Sequence, residues 1–344
     1  MLSTRRKAAA LAAGLAAVLA LAGCSSSGSS DAGASPSSGS SASDDAFPVT
    51  IEHALGTTEI PAKPERVVTW GWGSSDAAIA LGVVPVAMSY QAYGGDKDGV
   101  LPWVKDALDK AGEKTPVVLP NQQEVPVQDI AAQKPDLILA NYSGITQDEY
   151  DLLSKIAPTV AYPDKPWSTP WRDVVTGVGT ALGMDDQAAT LIDDTEATIS
   201  EAADAHPELA GKTVASVWDT GDTFYVYTAD DPRQQFLEDL GLKTAPSVGE
   251  LATGESSFYY TLSYEQLDQL KSDMLVSFAD DQKTEDAVLA KDALQVMPQV
   301  KSGAVAQIVG TDLVAAVSPP TVLSLPWGLD DYLDALSAAA AKVG

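Results

Sequence analysis

The chain has 344 residues, 45% of them hydrophobic and 20% charged, which is enough to bury a large core and favours two domains over one. Its formal net charge of −27, from 21 basic and 48 acidic residues, argues against nucleic acid as a partner, because phosphate contacts need clustered Lys and Arg. A single Cys and two His exclude an intrachain disulfide and a Cys/His zinc site.

Residues 1–23 have the build of a signal segment. Arg5, Arg6 and Lys7 form a basic cluster, and an apolar run follows from Ala8 to Ala22, too short to span a bilayer comfortably. It ends in Leu21-Ala22-Gly23-Cys24, which resembles the lipobox of bacterial lipoproteins, in which the Cys24 thiol takes the lipid and becomes the mature N-terminus. Arg5-Arg6 leaves the export route open between the general secretory and twin-arginine systems. Residues 25–43 contain 11 Ser among 19, cannot bury enough apolar surface to fold, and extend a tether over 24–46.

After Phe47, short β-rich runs alternate with helical patterns. Arg66–Trp70, Val83–Met88, Leu137–Ala140 and Thr159–Ala161 read as strands, with Ser74–Leu81, Val127–Gln133, Gln147–Ile156 and Trp171–Leu182 as helices between and after them. This alternation indicates an α/β lobe over 47–184 with a parallel sheet covered on both faces. Asp185–His206 has no internal Gly or Pro and a narrow apolar stripe, and so reads as one long connecting helix. A second α/β lobe follows over 207–344, with strands at Thr213–Trp218, Phe224–Tyr227, Met274–Phe278 and Ala304–Val309. Its helices are Arg233–Leu240, Tyr264–Leu270, Thr284–Ala290 and Leu329–Lys342.

An internal echo suggests that the lobes are duplicates. Gln128-Asp129-Ile130, then Lys134-Pro135-Asp136-Leu137, runs parallel to Glu265-Gln266-Leu267, then Lys271-Ser272-Asp273-Met274, at a constant offset of 137.

Catalytic signatures are missing. Gly71-Trp72-Gly73 lacks the third Gly of a dinucleotide fingerprint and the Lys of a phosphate loop, no Gly-x-Ser-x-Gly elbow occurs, and neither His53 nor His206 is placed as a general base. The positive signal is aromatic. Trp70, Trp72, Tyr90, Tyr142, Trp167, Trp171 with Arg172, Trp218, Tyr225, Tyr259 and Trp327 fall on predicted strand ends or loops, where open α/β sheets bind ligands. Arg233, after Asp231-Pro232 at a helix start, offers a partner for an anionic ligand group or for a surface acid.

Together with the lipobox and tether, His53–Pro61, Pro64-Glu65-Arg66-Val67-Val68, Ala132–Ile138, Ile156–Val160 and Pro326-Trp327-Gly328-Leu329 resemble the iron–siderophore substrate-binding lipoproteins of bacterial ABC importers, over essentially the whole mature chain. The resemblance implies two Rossmann-like lobes with parallel-rich sheets joined by one long rigid helix, a shallow interlobe cleft and no enzymatic activity. It also implies a monomer lipid-anchored at the extracytoplasmic face, an Fe(III)–siderophore ligand whose chelator supplies every iron ligand, no cofactor and no metal held directly. Docking on the permease uses one exposed Glu per lobe. Glu265 matches the second-lobe position, but the first-lobe position is Gln128, so Asp129 or Glu124 is the substitute. Haem or cobalamin carriage, an exported polysaccharide hydrolase and a purely adhesive lipoprotein are the alternatives.

Overall fold

The computed structural model describes residues 46–344 except 122 and 123. The signal segment 1–23, Cys24 and the tether as far as residue 45 lie outside the described residues.

The first sheet is built from very short apolar strands, all parallel, in the order Val117–Val118, Ala87–Met88, Val67–Thr69, Leu137–Leu139, Thr159–Val160. Side chains alternate across a strand, so this sheet has two buried faces. Val67, Met88, Leu137 and Leu139 share a core with helices Ser74–Ala80, Pro102–Ala111 and Trp171–Leu182, whereas Val68, Ala87 and Ile138 pack with Leu119, Ile130 and Leu153 on the opposite side. Helix Trp171–Leu182 has the predicted limits, set by Pro170 before it and by Gly183 in the left-handed region after it (φ 65°). Helix Pro102–Ala111 was not anticipated, although it carries Pro at its first turn and Gly112 (φ 72°) at its C-cap.

The second sheet runs Tyr259–Leu262, Phe224–Tyr227, Thr213–Asp219, Met274–Ala279, Val305–Val309, with Lys243–Thr244 also beside Thr213–Asp219. Four of its strands, Lys243–Thr244 included, repeat the parallel arrangement of the first lobe, but Phe224–Tyr227 is antiparallel to both neighbours. The expectation from strand–helix alternation fails here for a local reason. Only Thr220-Gly221-Asp222-Thr223 separates Asp219 from Phe224, too short for a crossover. The predicted helix over 264–270 is a 3-10 helix, Tyr264–Gln269. Its apolar residues Tyr264, Leu267 and Leu270 recur every third position, which suits three residues per turn.

The internal echo has a structural counterpart. Asp136 accepts backbone hydrogen bonds from Glu65 and Arg66 at 2.9 and 2.8 Å, and Asp273 accepts from the Thr213 backbone at 2.7 Å. In each lobe one carboxylate thus closes the start of the first parallel strand just before its own residue enters the neighbouring one.

Helix Asp185–Ala205 packs on Trp171–Leu182 of the first lobe and on Pro232–Asp239 of the second. Both lobes feed one continuous core, in which Ala188 and Ile199 of this helix join Val175 and Val178 to Phe236, Val276, Tyr332 and Leu336. Among the described residues no helix is long and apolar enough to cross a membrane.

Candidate functional site

The carboxyl ends of the first-lobe strands converge because their loops are tied together. After Val67–Thr69 the chain passes through Gly71, which has φ 90° and so little room that a Cβ would lie 2.3 Å from the Tyr142 carbonyl oxygen. The Gly71 N–H donates to Ser89 Oγ at 2.8 Å, Gln91 Nε2 donates to the Gly71 carbonyl at 3.0 Å, and the Trp72 N–H donates to the Tyr142 carbonyl at 2.9 Å. Three successive strand-end loops are thereby held in register.

This arrangement makes a basin of about 420 Å³ lined by Trp70, Trp72, Tyr90, Gln91, Tyr93 and Trp167, among others. Trp167 stands at its edge. The backbone there has φ 59°, an uncommon conformation for a bulky residue, and is held by hydrogen bonds from its N–H to the Ser143 carbonyl and from the Tyr142 hydroxyl to its own carbonyl, at 3.1 and 2.8 Å. The ring lies close enough to Gly144 that a Cβ there would sit 2.1 Å from Trp167 Nε1, and the residue is 41% exposed.

A second basin, about 660 Å³, opens at the strand ends of the other lobe, lined by Trp218, Asp219, Asp280, Asp281, Lys283 and Lys291. Tyr93 belongs to both basins: its ring meets Trp218 edge-on at 5.9 Å, and its hydroxyl donates to Asp280 Oδ1 at 2.8 Å. Burial, and then the hydrogen bond to Asp280, push the Tyr93 hydroxyl well above its usual pKa, so it stays a protonated donor. Lys291 reaches both oxygens of the buried Asp219 carboxylate at 2.8 and 2.9 Å and the Gly221 carbonyl at 2.8 Å. Burial works against its charge, but the hydrogen bonds to Asp219 and Tyr264 raise its pKa overall.

Of the residues singled out from sequence, Trp70, Trp72, Tyr90, Trp167 and Trp218 line these two basins. The others lie off their walls. Tyr142 is buried beneath Trp167, and its hydroxyl supports that loop. Trp171 is buried in the lobe core, because it opens a helix whose inner face it shares with Val174 and Val175. Arg172 donates to Glu196 of the connecting helix at 2.5 Å and to Asp239 of the second lobe at 2.8 Å, so it clamps three elements. Tyr225 and Tyr259 are cross-strand neighbours in edge-on contact at 5.3 Å. Trp327, 39% exposed, packs against Trp103 on the C-terminal helix Ser324–Ala340.

Arg233 is only 7% exposed. Its Nε and Nη2 each donate to an Asp231 oxygen at 2.7 Å, its plane covers the Tyr227 ring at 3.9 Å, and Nη1 donates to Ser318 at 3.1 Å. Burial opposes this charge, yet Asp231 more than restores it and holds the guanidinium above its usual pKa. Glu265, Asp129 and Glu124 are all exposed; Glu265 is at the first turn of its 3-10 helix and Asp129 at that of helix Val127–Ala132.

Tyr93, Asp280 and the Lys291–Asp219 pair are the site residues that sequence reasoning did not select. Tyr93 was visible as a strand-end aromatic, but its contact with residues 125 or more positions away is a tertiary fact. Neither histidine lines a basin: His53 shares a hydrogen bond with Thr58 at 3.0 Å in the N-terminal hairpin, and His206 lies near Ser337 and Glu208. Among the described residues no cluster of three or more His, Cys, Asp or Glu could hold a metal ion.

Comparison with known proteins accounts for this architecture. A family model described as periplasmic binding protein matches residues 67–309. The chain is 30% identical over 233 residues to the probable siderophore-binding lipoprotein YfiY of Bacillus subtilis, covering 67% of this chain and 68% of that one. It is 28% identical over 271 residues to the ferric enterobactin-binding periplasmic protein FepB of Escherichia coli, covering 74% and 82%. The crystal structure of Streptococcus pneumoniae PiaA in complex with ferrichrome superimposes with a TM-score of 0.80 at 39% identity, over 86% of this chain and 100% of that one. Family model, relatives and fold agree, and the chain belongs to the periplasmic binding protein family.

Proposed function

We propose that the protein is an extracytoplasmic, lipid-anchored solute-binding protein that captures a ferric siderophore between its lobes and delivers it to an ABC permease for iron uptake. The observation that carries this reading is the pair of aromatic-walled basins at the carboxyl strand ends of both lobes, bridged by Tyr93. Such walls suit a large, partly apolar chelate, and the chelate brings its own iron ligands, so the protein needs no metal cage. Relatives named for siderophore binding and a neighbour solved with ferrichrome support the same conclusion.

In this reading Trp70, Trp72, Tyr90 and Trp167 form one wall, Trp218 contributes the other, and Tyr93 joins the set. Tyr142 and Arg233 act from behind the wall. Residues 1–23 direct export, Cys24 carries the lipid, and the lobes 47–184 and 207–344 are joined by the rigid helix 185–206. Glu265 and, on the first lobe, Asp129 or Glu124 meet basic residues of the permease. Titrating the purified mature protein with ferric hydroxamate, catecholate and carboxylate siderophores, while following tryptophan fluorescence, tests the proposal. Saturable quenching by one class is expected; no quenching by any of the three refutes it.

A further inference from the structure

Among the described residues there are three arginines, and none offers an unpaired positive charge to the cleft. Arg66 donates to the carbonyls of Gln133 and Lys134 at the opposite, N-terminal end of the strands. Arg172 is held by Glu196 and Asp239 on the connecting helix side. Arg233 forms a bidentate pair with Asp231, so it adds no net charge.

The charged residues that do line the two basins are Glu149, Asp219, Asp280 and Asp281, against Lys283 and Lys291, a net charge of −2. The Lys291 ammonium is already matched by Asp219, which leaves Lys283 facing three carboxylates. Around them stand the rings of Trp70, Trp72, Tyr90, Trp167 and Trp218, which supply no formal positive charge to an anion. The whole chain is also strongly acidic, at −27, so an approaching anion is repelled at long range as well.

From this charge pattern we infer that the cleft selects iron(III) chelates of zero or positive net charge, the trihydroxamate class, and discriminates against anionic tricatecholates. The inference rests on the siderophore-binding reading above and narrows it. Three hydroxamates each bring one negative charge and leave the ferric complex uncharged, and a pendant ammonium makes it cationic. Three catecholates each bring two and leave a trianion. A carboxylate-rich cleft with no free guanidinium has only Lys283 to set against that trianion, whereas an uncharged chelate needs no counter-charge.

The test is calorimetric titration of the mature protein with three probes: ferrichrome (uncharged), ferrioxamine B (cationic) and ferric enterobactin (trianionic). At about 0.15 M salt, where the screening length is about 8 Å, the trianion is expected to bind roughly tenfold or more weakly than the better of the other two, and the gap widens at low salt. Asp280→Asn with Asp281→Asn removes two negative charges while keeping an acceptor for Tyr93 and a helix cap. This double variant is expected to narrow the ratio between uncharged and trianionic probes at least threefold. Equal or tighter binding of ferric enterobactin, or a ratio indifferent to salt and to the double variant, overturns the charge selection and leaves the siderophore reading intact. Binding of none of the three overturns the charge selection, and if ferric carboxylate siderophores fail as well the siderophore reading falls with it.

Discussion

Gly144→Ala is the sharpest probe of the cleft, because it displaces a wall side chain without replacing it. Gly144 is not in the left-handed region, so alanine meets no backbone strain there. Its Cβ, however, would sit 2.1 Å from Trp167 Nε1 and 2.5 Å from Cε2, against an ordinary contact of about 3.5 Å or more. The Trp167 backbone is fixed by Ser143 and Tyr142, so the indole has to give way by more than an ångström, rotating away from the basin. The ring is 41% exposed and can move into solvent. If about a third of its roughly 150 Å² of buried contact is lost, the cost is about 1 kcal/mol, a melting shift of about 2–4 °C. Loss of one aromatic contact to the ligand, about 1.4 kcal/mol, weakens Kd about tenfold. Calorimetric titration of wild type, Gly144→Ala, Trp167→Ala and the double variant closes a cycle. Gly144→Ala is expected to weaken binding by itself and to add nothing once Trp167 is gone. Wild-type affinity in Gly144→Ala, or full additivity in the double variant, would refute the assignment of Trp167 to the wall.

Glu265→Ala is expected to leave ligand affinity intact and to lower iron uptake in cells; unchanged uptake removes the docking assignment. Arg233→Met strands the fully buried Asp231 carboxylate and should cost about 3–5 kcal/mol by chemical denaturation, while adding Asp231→Asn recovers part of the loss. Burial raises the pKa of the Asp76 carboxyl despite hydrogen bonds from Thr321, Trp103 and Ser75, so the folded state keeps a proton that the unfolded chain has released. Its contribution to stability is therefore greatest below the ordinary carboxylate pKa of about 3.9 and declines as pH rises through the raised value. Asp76→Asn should lose that decline, which thermal melts across pH 4 to 7 on both proteins will read. Trp327→Ala should leave Kd unchanged and lower the melting temperature, since Trp327 packs on Trp103 away from both basins.

What could be read from sequence was whatever a local pattern controls. Helix Trp171–Leu182 has its stop and start residues written beside it, and the connecting helix Asp185–Ala205 is marked by the lack of any Gly or Pro. The Lys-x-Asp turns were visible as a repeat, and their shared task, closing the first strand of each sheet, follows from Asp136 and Asp273. The aromatic candidates divided on a feature that no spacing encodes, namely which way each side chain points once its loop is tied. Trp70 and Trp72 stay at the basin because Gly71 lets the loop cross against Tyr142, whereas Trp171 turns inward with the helix it opens. Arg233 was read as available to a ligand, but Asp231 two residues earlier folds its carboxylate back onto the guanidinium. Tyr93 gains its place only from Trp218 and Asp280, which the chain supplies much later.

The same packing constrains how the protein can respond to a ligand. One apolar core passes from the first lobe through Ala188 and Ile199 into the second, so the lobes cannot part without exposing it. Arg172 ties the first lobe to the connecting helix and to Asp239, and Thr321 of the second lobe donates to the buried Asp76 of the first at 2.5 Å. Opening the cleft by a wide hinge would break these contacts together, at a cost that binding energy would have to meet before any affinity remained. The geometry instead favours a cleft held nearly open-mouthed, with Tyr93 spanning it and Trp167 at its rim. A partner that recognises both lobes, through Glu265 and its first-lobe counterpart, would then sense small changes in their spacing and the chelate's own exposed surface. It would not be reading a large closure.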